Sequence, residues 1–160
     1  MKRRSLNVLV ICFMLVFITF IGVPKGTDES SEVKLRADEG ELVWILLNHV
    51  KPDKRQQFEE FMDVMNQTFE DLIKEGKVNP EEAKAYKQMR FLIPTQANED
   101  GSYTYVFLSD PWIEGVESRM VPWLRKKYSE EEVQKYIQMF RDSLMHPQVS
   151  YMSKQAKHKQ

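Results

Sequence analysis

The chain has 160 residues, 42% of them hydrophobic and 29% charged, with a formal net charge of −1. That balance excludes a disordered chain and a multi-span membrane protein, and the portion after the basic leader is mildly acidic, which argues against nucleic acid as a partner because polyanion binding relies on clustered Lys and Arg. The one cysteine, Cys12, falls in the apolar leader, so the domain beyond it has neither disulfide nor thiolate chemistry.

Lys2, Arg3 and Arg4 precede an uncharged, largely apolar stretch from Ser5 to Pro24. A basic start before an apolar run is the export pattern, with the basic end held on the cytoplasmic side. Residues 1–23 are expected to be a cleaved signal peptide or a retained membrane anchor. The run is about as long as a minimal span, and no small-x-small site closes it. Ile11 is bulky and the apolar run continues past Cys12, which speaks against a lipidated cysteine. The expected address is therefore periplasmic or extracellular, with membrane contact through the leader if it is uncleaved. Residues 24–39 are polar and aperiodic, as a linker should be.

The domain is expected over residues 40–153, with a basic tail at 154–160. Residues 42–50 form a continuous apolar run stopped by Lys51-Pro52-Asp53, the pattern of a strand buried on both faces. The period then changes. Phe58, Phe61, Met62, Met65, Phe69, Leu72 and Ile73 fall at helical spacing, and Gly76 ends that helix. Asn79 and Pro80 predict the cap and first turn of a short helix through Tyr86. Met89 to Ile93 reads as a second strand, and Asn98-Glu99-Asp100-Gly101 as a turn into a third, antiparallel strand from Ser102 to Ser109. A long connection from Asp110 to Tyr128 holds Trp112, Trp123 and a short helix around Met120 to Lys127. Ser129 and Glu132 form a capping box for a helix that turns Val133, Ile137, Phe140 and Leu144 inward. Pro147 stops it, and residues 149–152 make a fourth strand.

The predicted order is that of a ferredoxin-like α+β domain, βαββαβ, with an antiparallel sheet, two main amphipathic helices and extra short helices. The strand ending in Val50-Lys51-Pro52-Asp53-Lys54, followed by Phe58-Glu59-Glu60-Phe61, resembles the opening of dimeric α+β barrel domains of the antibiotic-biosynthesis-monooxygenase type. The resemblance spans most of residues 41–153. It implies a homodimer with sheets facing each other, in a superfamily that hosts oxygenases, haem degraders, isomerases and proteins without known activity. Asp53 stands where those turns carry glycine, and residues 76–87 and 110–128 are longer than the plain fold needs. The Asn, Trp and His set of the haem-degrading members finds no residue-by-residue match.

Six residues are candidates for binding a ligand. His49, at the end of the first strand, is a proton acceptor near neutral pH; Arg90, on the second, could counter a carboxylate. Tyr103 and Tyr105 alternate with Phe107 on one strand face, where they pack a core or line a pocket. Trp112 and Trp123 lie in the long connection, the class of segment that covers sites. If a small molecule binds, its site is expected between the sheet and the Trp112 to Trp123 connection. No metal site is expected: His49, His146 and His158 lie far apart in sequence, and the acidic turn at residues 98–100 supplies too few ligands. No catalytic residue and no cofactor can be named. The function expected is that of an exported small-ligand-binding or protein-interaction domain, with an oxygenase-type enzyme of the dimeric α+β barrel class as the alternative.

Overall fold

The computed structural model describes residues 36–157; the leader at residues 1–23, nearly all of the linker and residues 158–160 lie outside the described residues. Strand β1 (Leu42–Val50) leads through a 3-10 turn at Pro52–Lys54 into helix α1 (Arg55–Lys74). Gly76, with φ of +67°, takes the left-handed conformation that ends the helix. Asn79 accepts from the Glu82 N–H at the start of α2 (Pro80–Gln88), and Glu82 reaches back to the Asn79 N–H. Strands β2 (Met89–Leu92) and β3 (Tyr103–Ser109) come next, then α3 (Met120–Arg125), α4 (Glu130–Ser143) and β4 (Val149–Lys154).

The sheet has the order β2-β3-β1-β4 with antiparallel neighbours throughout, which is the ferredoxin-like α+β arrangement. Alternation along each strand sorts its residues between the two faces. Leu46 pairs with Phe107 on one side and Ser150 on the other; Ile45 pairs with Leu108 and Tyr151. The first set faces the helices, because Leu46, Phe107 and Ser150 share a cavity wall with α1 residues. The second set faces away.

Helix α1 packs against α3 and α4, and its Phe58, Phe61 and Leu72 are fully buried with Val50, Tyr105, Val133 and Leu124. Cover over β1 is uneven. Asn48 and Val50 are buried, whereas Leu42 to Leu47 are only partly so. This corrects the expectation that both faces of β1 are buried. Among the described residues the helices lie on one face alone, and α4 reaches only the Val50 end of it. The domain edges also differ slightly from the sequence reading. Lys154 still pairs with Leu42, and Ala37 is buried with its N–H on Asp110 Oδ1 at 2.6 Å. Ladder hydrogen bonds carry order past the end of the apolar pattern: the Gly40 N–H donates to the Gln155 carbonyl and the Gln155 N–H to that of Glu41.

Candidate functional site: an apolar cavity between sheet and helices

Where α4 stops, the space between the sheet and α1 stays open as a cavity of about 1000 Å³. Its floor crosses all four strands: Ser150 and Gln148 beside and on β4, Trp44 and Leu46 on β1, Phe107 on β3, Phe91 and Met89 on β2. The C-terminal half of α1 contributes Met62, Met65 and Phe69 to the roof, and Met120, Val121 and Trp123 close it from α3. Four thioethers and six aromatic rings thus converge from five elements. Methionine is unbranched and polarizable, so such a wall can remodel around an apolar guest.

Aromatic contacts hold these walls. Tyr86 of α2 stacks on Phe69 with centroids 4.3 Å apart, and Trp123 tilts against the same ring at 4.8 Å. Trp123 is 1% exposed; its indole N–H donates to the Glu117 carbonyl at 3.2 Å, and Lys126 Nζ lies 4.1 Å from its ring centre. On the floor, Phe91 meets Phe107 at 4.9 Å, and the Trp44 indole donates to Ser150 Oγ at 2.8 Å, tying β1 to β4. A smaller cleft of about 30 Å³ adjoins the cavity beneath residues 109–118 and shares Phe69, Tyr86, Met89 and Trp123 with it.

The charged groups around the cavity are mostly paired. Arg119 grips Glu117 with two guanidinium bonds of 2.9 and 2.7 Å, and these together with the Arg119 backbone N–H hold the Glu117 carboxyl down at about 2. Arg125 binds Glu130 in the same two-pronged way, at 2.9 and 3.0 Å. Lys87, exposed at the end of α2, has no ion-pair partner among the described residues.

The structure divides the six sequence candidates. Trp123 lines the cavity. Trp112 lines the smaller cleft, with its ring 5.2 Å from Trp44 and its N–H on the Leu42 carbonyl. Tyr105 is fully buried on the helix face, where its hydroxyl donates to Glu59. Tyr103 lies under the Arg55 guanidinium at 4.8 Å. Neither tyrosine lines the cavity.

Arg90 and His49 stand on the opposite face. Arg90 pairs in register with Leu108 and is bound to Asp110 Oδ2 at 2.8 Å, so its charge is already countered. His49 Nδ1 lies 3.2 Å from Thr104 Oγ1, and its ring is 6.2 Å from that of His146. Among the described residues no three His, Cys, Asp or Glu side chains gather as a metal site would need.

Sequence reasoning did not single out Met62, Met65, Met89 and Met120 as wall residues, nor Trp44, Leu46 and Phe107. The available signal was the concentration of methionine on one face of α1. Beside the cavity, Asn48 is fully buried; its Oδ1 accepts from Gln148 at 2.7 Å, and its Nδ2 has no partner among the described residues.

No protein-family model matches this chain, and no curated protein matches it. Among solved structures, it is similar to one described as a "putative antibiotic biosynthesis monooxygenase" from Caulobacter crescentus CB15, at 14% identity and a TM-score of 0.34, covering 74% of this chain and 92% of that one. A likeness of that size transfers no activity; the α+β fold stands on the strand order and register of the chain itself.

Proposed function

We propose that this chain is an exported domain that binds an apolar small molecule between its sheet and helices. The observation that carries the reading is the cavity of about 1000 Å³, at the upper end of the range for small-molecule sites, with walls dominated by methionine and aromatic side chains. Its guanidinium groups are spent on neighbouring carboxylates. That favours binding over the alternative, an oxygenase-type enzyme, which would draw on a residue free to move a proton. Export rests on the leader, where a basic start precedes an apolar run.

A thermal-shift screen of the purified protein against apolar small molecules tests the reading, with Leu46→Trp as the filled-cavity control. A ligand at a hundred times its Kd stabilises by about 2.7 kcal/mol. The expected result is a shift in the wild type that disappears in the control. An equal shift in both would place the ligand elsewhere, and no shift with any compound would remove the proposal.

We also propose a homodimer through the face of the sheet that the helices leave open. Val43, Ile45 and Leu47 of β1, Val106 and Leu108 of β3, and Val149 and Tyr151 of β4 form a contiguous apolar surface across three strands. Tyr151 is 52% exposed there and Leu92, beside it on β2, 46%. Patches of this kind on a soluble domain mark interaction surfaces.

A further inference from the structure

The shape and charge of the cavity narrow its guest. Its floor runs across the strands from Ser150 on β4 to Met89 on β2. Three interstrand spacings separate those two edges, about 14 Å in all. The cavity is therefore a trough rather than a rounded pocket. Along its length the floor and roof are apolar: Leu46, Phe107 and Phe91 lie below, Met62, Met65 and Phe69 above. The two ends differ. At the β4 end, Gln148 and Ser150 are exposed and uncharged. At the other end, Lys87 carries a positive charge that no carboxylate counters among the described residues, whereas Arg119 and Arg125 are bound to Glu117 and Glu130. One net positive charge thus sits at one end of a long apolar groove.

We infer that the ligand is an unbranched monoanionic amphiphile, a fatty-acid-like chain lying across the strands with its head at Lys87 and its tail toward Ser150. This rests on the reading of the cavity as a ligand site and adds the class of ligand. A rigid polycyclic guest would fill such a trough less well than a flexible chain, and a dianion would leave one charge without a partner. Burial of each methylene against the floor is worth a roughly fourfold gain in affinity, so the trough should act as a ruler for chain length. An exposed ammonium contributes less, roughly two- to fivefold.

Calorimetric titration tests this with straight-chain carboxylic acids from octanoic to octadecanoic, each below its critical micelle concentration, the matching primary alcohols, and pyrene as a rigid neutral probe. The expected affinity climbs with each methylene and levels off once the chain spans the trough. Lys87→Ala should weaken the acids roughly two- to fivefold and leave the alcohols unchanged; Leu46→Trp should weaken both. Binding of pyrene without binding of the acids would overturn the chain-like ligand while leaving the cavity a ligand site. An affinity independent of chain length would overturn it too, and equal losses for acids and alcohols in Lys87→Ala would remove Lys87 as the counter-charge. Failure of every probe, pyrene included, would take down this inference and the reading beneath it together.

Discussion

The Tyr105 hydroxyl donates to Oε1 of Glu59, joining the centre of β3 to the first turns of α1. Arg55 Nε reaches both atoms, 3.0 Å from the carboxylate and 3.1 Å from the phenol oxygen. Burial, with the Glu59 carboxylate, pushes the phenol up to about 12, so it remains a donor at any ordinary pH. Its ring packs on Phe58 at 4.7 Å and Phe91 at 5.6 Å. Tyr105→Phe keeps that packing and deletes the donor. Glu59 is partly open to water, so the expected loss in urea unfolding is about 1–2 kcal/mol, with ligand affinity unchanged. No loss would show that the hydrogen bond is idle.

Acid should loosen the wall around Glu117 before it unfolds the core. The folded carboxyl titrates at about 2, below its ordinary 4.5, because Arg119 binds its charged form. A depressed carboxyl contributes stability above its ordinary value and loses it as pH falls toward the folded one. The thermal midpoint is therefore expected to drop between pH 4.5 and pH 2. Glu117→Gln should flatten part of that drop while leaving the midpoint at pH 2 close to wild type. Identical pH profiles for the two proteins would show that the Arg119 pair does not stabilise the fold.

Light scattering at micromolar concentration should report twice the chain mass. Ile45 lies between Leu108 and Tyr151 on the open face of the central strand, so Ile45→Asp should halve that mass and keep the circular dichroism spectrum. A monomeric wild type would leave the apolar face to some other partner and remove the homodimer.

A reporter active only outside the cytoplasm, fused to the C-terminus, should give signal, because Lys2, Arg3 and Arg4 stay inside and the chain beyond the apolar run crosses. An expressed but silent fusion would reject export. Fractionation of the same cells separates an anchor, which keeps full-length mass in the membrane pellet, from a cleaved signal, which releases a shorter chain.

The elements were legible because their signals are local. The capping boxes at Asn79 with Glu82 and at Ser129 with Glu132 both form as their spacing predicts. The apolar period of α1 points Phe58, Phe61 and Leu72 inward, and each is fully buried. Strand parity was not legible. Every residue from Leu42 to Leu47 is apolar, so nothing in β1 says whether the odd or the even positions meet the helices. That ambiguity decides where His49 stands, since one step along the strand moves a side chain to the other face. Arg90 obeys the same logic on β2. The cavity was hidden for a different reason: Met62, Leu46, Met89 and Met120 come from separate elements, and whether they touch or frame a void depends on how far α4 reaches along the sheet.

Trp44, Trp112 and Trp123 are all the tryptophans the chain has. Trp44 and Trp123 line the main cavity and Trp112 the cleft beside it. Indole emission from this protein therefore comes entirely from the surroundings of one site, with no background from elsewhere in the chain. Any guest that displaces water from the trough should change the colour or yield of that emission, so the unlabelled protein carries its own optical gauge of occupancy.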